Sequence, residues 1–191
     1  TSVDSKDKRL RASALVESKN TYVVIDTGPE FRIQALRAGL KKLDAVFLTH
    51  SHADHLNGLD DVRVFSHTKA VDPAKPDNKE TEGSGLPIYA NANTIKDTKN
   101  RFDYIFKPIK EGGGKPKIDL KDTASFSKEN PIRVENIFAI PVPLLHGHLK
   151  DSGYLLFEQQ ALDERHSIAY LTDCSSIPEA SLSLIEENAG T

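Results

Sequence analysis

The run LTHSHADHLNG, residues 48–58, crowds His50, His52, Asp54 and His55 into six consecutive residues, and so holds three of the chain's seven histidines. Imidazole nitrogen and carboxylate oxygen are ligands for Zn²⁺, Mn²⁺ or Fe²⁺, and no thiolate lies among them. On an extended chain, residues two apart point the same way. His50 and His52 therefore project together if extended backbone persists through Ser51, and Asp54 can join them. His55 falls where the chain enters a helix and approaches from another angle. One tetrahedral site does not readily take four adjacent ligands. Two ions sharing the pocket, about 3.5–4 Å apart, is the easier geometry and suits activation of a bridging water. The competing explanation is structural: a histidine-rich surface turn, or a helix N-cap supplied by Asp54 or Ser51.

Such a cluster needs a scaffold. DAVFLTH reads as a strand that delivers the histidines to its end, where rigid folds hold sites. YVVIDTG, residues 22–28, is an apolar, β-branched run stopped by Gly28 and Pro29, hence a buried strand. PEFRIQALRAGL follows as a helix, with Phe31, Ile33, Leu36 and Leu40 at roughly helical spacing and Pro29 in its first turn. HLNGLDDVRVF predicts one helix beginning at the cluster, with Leu56, Leu59, Val62 and Phe65 on one face. Residues 66–85, rich in Lys, Asp, Pro and Gly, predict a long mobile loop. LPIYAN predicts a short strand, NTIKDTKNRFDYIF a helix that breaks near Phe102, and KEGGGKPK a flexible turn. KIDL, IRVENIFAIPVPLLHG, SGYLLFE and SIAYLTDC read mostly as strands. PEASLSLIEEN reads as an amphipathic helix with Pro178 at its start. Strands with interspersed helices, then several consecutive strands, predict an α+β protein of two sheets with covering helices.

Two later residues repeat the pattern of the cluster. His146 closes the apolar run PLLH before Gly147, and Asp173 closes SIAYLTD. Their plainer readings are a loop histidine and a cap or turn residue before Pro178. Asp26, ending YVVID, either orients a ligand histidine or the cluster loop, or makes an Asx-turn with Thr27 and Gly28. His148 is expected to line the pocket rather than to ligate. Asp60 and Asp61 are expected to cap and solvate their helix, His67 and His166 to be solvated, and Cys174 to fill a small buried space.

Composition narrows the function classes. With 191 residues, 38% hydrophobic and 28% charged, the chain can bury a core without disulfides. A net charge of −3 and a pI near 6.2 supply no global basic field for nucleic acid. The single cysteine excludes an internal disulfide framework and makes the cytoplasm the default compartment. No apolar run approaches the ~20 residues of a membrane span, and TSVDSKDKRLR lacks the apolar core of a signal peptide. There is no methionine, even at position 1, which fits a processed or truncated start.

THSHADHLNGLDD resembles the signature of the metallo-β-lactamase superfamily, and VIDTG, LLHG and YLTDC occur in the order that family uses. GLDDVRVF and LTDCSSIPEASL are most similar to the branch around phosphoribosyl cyclic phosphodiesterase. The resemblance runs from about Arg9 to the end. It implies a four-layer αββα sandwich, two mixed sheets flanked by helices, as one metallo-hydrolase domain over residues 1–191, incomplete at both ends. It implies two divalent ions, zinc or manganese, with iron a further candidate. His50, His52 and His146 would hold the first, Asp54 and His55 the second, and Asp173 would bridge them. A last histidine for the second ion and a general acid would lie beyond Thr191.

The expected activity is hydrolysis of a small cyclic or ribosyl phosphodiester by hydroxide activated between the metals, with Asp54 orienting it. Alternatives within the superfamily are a tRNA 3′-processing ribonuclease, which would want a more basic arm than residues 66–85, and thioester or lactone hydrolysis. A degenerate metal-binding module is the non-enzyme alternative. The expected partner is a small-molecule phosphodiester, with no membrane, nucleic acid disfavoured and a homodimer left open.

Overall fold

Side-chain alternation along two central strands builds the protein in layers. The computed structural model describes residues 2–69, 85–107, 115–158 and 167–188. The first sheet runs in the order β1 (Ala14–Ser18), β2 (Thr21–Ile25), β3 (Ala45–Phe47), β4 (Leu86–Ala90), β5 (Ile118–Asp122). β1 pairs antiparallel with β2, and the remaining pairs are parallel. The second sheet runs β6 (Ile132–Val134), β7 (Ile137–His146), β8 (Leu149–Glu158), β9 (Ser167–Tyr170). Its described strands are all antiparallel, so of the two sheets only the first is mixed within the described residues.

Alternate residues of β2 and β3 face opposite ways. Val23, Ile25, Ala45 and Phe47 point to the second sheet and meet Ile132, Val134, Ile137, Ala139, Tyr154 and Leu156. Phe47 stacks on Tyr154 with ring centroids 4.9 Å apart. Val24, Val46 and Leu48 point the other way, with Ile88, to Phe31 of α1 (Phe31–Arg37), Leu56 of α2 (Ala53–Leu56) and Phe65 of α3 (Arg63–Lys69). Ile105 of α5 (Asp103–Phe106), which follows α4 (Ala92–Arg101), joins them. On the far face of the second sheet, Ile140, Val142, Leu144 and Leu155 meet Leu184 and Ile185 of α6 (Glu179–Asn188). Three apolar interlayers thus hold four layers, helix, sheet, sheet, helix. No described helix is long and apolar enough to cross a membrane.

Several expectations change in detail. The single helix expected from the cluster to Phe65 is three pieces: α2, a 3₁₀ turn at Leu59–Val62, and α3. Its break has a tertiary cause, because the Gly58 N–H leaves the helix to donate to Thr27 O at 2.8 Å. Leu56, Leu59, Val62 and Phe65 are nevertheless all buried. In α1 the expected face is only partly used: Phe31 is buried, while Ile33 and Leu36 are 46% and 71% exposed. β1, a short edge strand of alternating burial, was not expected from the sequence. Of the loop expected over 66–85, residues 66–69 belong to α3 instead, and residues 70–84 lie outside the described residues. So do residues 110–114 of the expected flexible turn, His166, and the side chain of His67.

Cys174 is exposed rather than buried, because it sits in the irregular stretch between β9 and α6. Pro141 and Pro143 are tolerated inside β7 because β6 pairs only as far as Ala139, so no β6 neighbour needs their missing N–H groups.

Candidate metal centre

Asp26 organises the cluster from the end of β2. Its backbone is left-handed, with φ of 62°, and its carboxylate is completely buried. Oδ1 accepts the Thr49 N–H at 2.8 Å and Oδ2 accepts the Thr49 hydroxyl at 2.8 Å. Oδ2 also lies 2.7 Å from His55 Nδ1. Thr49 Oγ1, having given its proton to Asp26, is 3.0 Å from His50 Nδ1 and accepts from it. The Nδ1 atoms of His50 and His55 are therefore both engaged on the protein side, and their Nε2 atoms are turned to His52 and Asp173 respectively.

The backbone fixes the same loop. Thr27 N–H donates to His55 O at 2.8 Å, and Gly58 N–H to Thr27 O at 2.8 Å. The two segments pass so closely that a Cβ on Gly28 would lie 2.2 Å from Asp54 O, and one on Gly58 2.0 Å from Gly28 O. Glycine is required at both by this approach.

His146 ends β7, and the segment carrying Asp173 is hung beside it. Leu145 N–H donates to Ser176 O at 3.1 Å, Ser175 N–H to Leu145 O at 2.7 Å, and Gly147 N–H to Ser175 Oγ at 2.8 Å. Gly147 turns the chain with φ of 60°, and Asp173 itself has φ of 50°.

These segments bring donors into two groups. In one, His50, His52 and His146 present ring nitrogens all within 4.8 Å of one another; in the other, His50, His55 and a carboxylate oxygen of Asp173 do so. His50 Nε2 is 3.0 Å from His52 Nδ1, and His55 Nε2 is 3.1 Å from Asp173 Oδ2. The ring centroids of His52 and His146 are 5.1 Å apart. Asp54 Oδ2 lies 3.8 Å from His55 Nε2 with its side chain half exposed, and it belongs to neither group. His148 is exposed in the turn between β7 and β8. His52, not Asp54 or Ser51, occupies the N-cap position of α2, and its side chain makes no cap bond.

Asp151 is a residue the sequence reading passed over. It lies on β8 with its side chain fully buried; Oδ1 accepts the Ser152 N–H at 2.5 Å and is 3.7 Å from His50 Nδ1, and Oδ2 has no hydrogen-bond partner among the described residues. The available signal was an acid in the apolar run LKDSGYLLF.

Electrostatics divide the histidines. Burial, reinforced by His55 and His52, holds His50 down at about 4, so it is neutral and free to coordinate at neutral pH. Burial also pulls on His55, but the hydrogen bond and charge of Asp26, with Asp173 and Asp54, outweigh it and lift His55 to about 9. Burial pushes Asp151 up to about 6. For Asp173, burial is outweighed by His55, Thr172 and His50, and its carboxyl sits below the ordinary range.

The donors fit divalent ions that favour nitrogen and oxygen, such as zinc or manganese. Each group offers three protein ligands, and a three-ligand set with an open position characterises catalytic zinc sites.

The profile of the family described as "Beta-lactamase superfamily domain" matches residues 21–189. An octanoyltransferase of Porphyromonas gingivalis is 32% identical over 169 residues, covering 88% of this chain and 30% of that protein. The anti-Pycsar protein Apyc1 of Bacillus phage 010DV004 is 42% identical over 57 residues, covering 28% of this chain and 22% of that one. Among solved structures, a diphosphatase from the PhnP family is 38% identical with a TM-score of 0.70, over 96% of this chain and 60% of that one. The chain thus spans less than a third of the length of the curated relatives it matches. The family profile, the four layers and the histidine cluster agree, and the chain belongs to the beta-lactamase superfamily, with the metallo-β-lactamase fold.

Proposed function

We propose that the chain is a metal-dependent hydrolase that cleaves a small cyclic or ribosyl phosphodiester. The observation that carries this reading is that His50 belongs to both donor groups, so two ions gathered there would share one cavity. Divalent ions so held supply Lewis acidity toward a phosphoryl oxygen and acidify water for attack on phosphorus. His50, His52 and His146 would hold one ion and His55 and Asp173 the other, because the one free ring nitrogen of His50 serves a single ion. Asp26 keeps His55 Nδ1 occupied and its Nε2 presented to Asp173. Asp54, half exposed beside His55, would orient the attacking water and take its proton. The likeness to a diphosphatase supports phosphorus–oxygen chemistry.

The test is metal analysis combined with turnover of bis-p-nitrophenyl phosphate and a panel of cyclic nucleotides. Two equivalents of divalent ion and hydrolysis abolished by a chelator are expected. A fully loaded chain that turns over none of these phosphodiesters would overturn the reading.

The octanoyltransferase relative favours a second reading, in which the same centre hydrolyses an acyl thioester such as an octanoyl thioester. Side-by-side kcat/KM values for bis-p-nitrophenyl phosphate and octanoyl-coenzyme A separate the two. A preference for the thioester would replace the first reading with the second.

A further inference from the structure

The sequence of α4, ANTIKDTKNR, has the look of a solvated surface helix, yet its polar residues reach the cluster. Asp97 and Arg101, four apart and so on one face, grip a single residue from two sides. The Ser51 hydroxyl donates to Asp97 Oδ2 at 2.6 Å, and an Arg101 terminal nitrogen donates to Ser51 O at 2.8 Å. Arg101 also donates to Asn57 Oδ1 at 3.0 Å. Ser51 stands between His50 and His52, and Asn57 is the C-cap of α2, which carries His55.

The other end of α4 is tied as well. Asn91 caps the helix by accepting the Thr94 N–H at 2.9 Å, and its side-chain amide donates to Ser152 Oγ at 3.2 Å. Ser152 lies on β8, and its N–H donates to Thr49 O at 3.1 Å. Between these ends Thr94 and Thr98 are buried. One helix is therefore fastened both to the cluster loop of the first sheet and to the strand paired with the one that carries His146.

The loop has a reason to need this. Residues 48–52 follow the end of β3 and are not part of any ladder. Rotation about the backbone of Ser51 would swing His52 away from His50, and nothing in a free loop opposes that beyond the soft φ/ψ surface. The planar Arg fork can bond two acceptors at once in fixed directions, which a lysine ammonium does less well.

We propose that Asp97 and Arg101 are positioning residues for the ion held by His50, His52 and His146: by clamping Ser51 they fix the mutual orientation of His50 and His52. This rests on reading the cluster as a metal centre. The two residues touch neither ion nor substrate, and they act through the loop.

The test measures Zn²⁺ affinity of the full chain by competition with a chromophoric chelator, beside the Tm of the metal-free protein. Arg101→Ala and Asp97→Ala are expected to weaken binding of one zinc equivalent by about 10–100-fold, with the second equivalent and the metal-free Tm changed far less. Ser51→Ala should reproduce Asp97→Ala, and the double variant should be no worse than either, since all remove one bond. Asp97→Asn, which keeps an acceptor oxygen, should restore most of the affinity, and Arg101→Lys should restore less. Wild-type affinity in both alanine variants would overturn the inference while leaving the metal centre standing. So would a loss of affinity that tracks a fall in metal-free Tm and is not rescued by Asp97→Asn. A wild-type chain that binds no zinc would overturn the metal-centre reading, and this inference with it.

Discussion

The two sides of the candidate centre are built to different standards. On the first-sheet side, His50 and His55 are buried, their Nδ1 atoms are engaged by Thr49 and Asp26, and the loop is held by backbone bonds to Thr27 and by α4. On the second-sheet side, Asp173 is 35% exposed, in a left-handed backbone conformation, on a segment hung from β7 around Leu145. Asp26 on the first side is left-handed too, so the contrast lies in exposure and anchoring. The difference teaches that donor geometry is largely preset on one side, while on the other the incoming ion has more to fix.

The largest test of that contrast removes the residue common to both groups. His50→Ala should lose the ion held with His52 and His146 and lower phosphodiester turnover on the order of 10³-fold or more. Metal content and turnover measured together check it, and a variant retaining a full complement of metal would remove His50 from the ligand set. Asp173→Ala should instead lose the ion on the His55 side. Its turnover should still fall at least about 10²-fold, with an unchanged circular dichroism spectrum. Near wild-type turnover there would remove the second sheet's acid from the centre.

Two glycines sharpen the comparison through stability. Gly58→Ala forces a Cβ to 2.0 Å from the Gly28 carbonyl oxygen, a backbone atom that has little room to give. It should cost about 2–3 kcal/mol in denaturant unfolding. Gly147, on the second-sheet side, unlike Gly58 has positive φ, and nothing among the described residues lies within 4 Å of a Cβ there. Gly147→Ala should therefore cost only about 1 kcal/mol, from backbone strain alone. Equal costs at the two sites would mean that the first side is no more tightly packed than the second.

A further effect, dependent on pH, concerns Asp151. Its carboxyl is raised to about 6 from an ordinary 3.8, so the folded chain binds the proton more tightly than the unfolded one. Its contribution to stability is present below the ordinary value and is lost as pH rises through about 6. In the metal-free protein, Asp151→Asn should thus raise stability at pH 7 by about 1–2 kcal/mol and flatten the decline between pH 4 and 6. Urea unfolding at pH 4 and pH 7 reads this directly, and a variant no more stable at pH 7 would show that the buried carboxylate finds compensation near His50.

Much of this was legible in the linear chain. Near-continuous apolar runs made β2, β3, β7 and β8 readable, because a strand buried on both faces leaves such a run whatever its neighbours are. The break of a helix near Phe102, and the common burial of Leu56, Leu59, Val62 and Phe65, were readable for the same local reason. The clustering of His50, His52, Asp54 and His55 announced metal chemistry before any geometry, since few other uses call for so many donors in six residues.

The rest depended on what the chain meets in space. The break of the cluster helix at Gly58 follows from a bond to Thr27, thirty-one positions earlier, which no helical period encodes. The exposure of Cys174, the edge pairing of β1 and the burial of Asp151 beside His50 are properties of neighbours, not of local sequence. The sharing of His50 between two donor groups, and the distance of Asp54 from both, appear only once β7 and the segment after β9 close over the loop. The sequence by itself determined which donors exist and which strands would be buried, because hydrophobic periodicity and residue chemistry are local. Only the tertiary structure decided which donors face one another, because a coordination sphere is a set of angles between segments far apart along the chain.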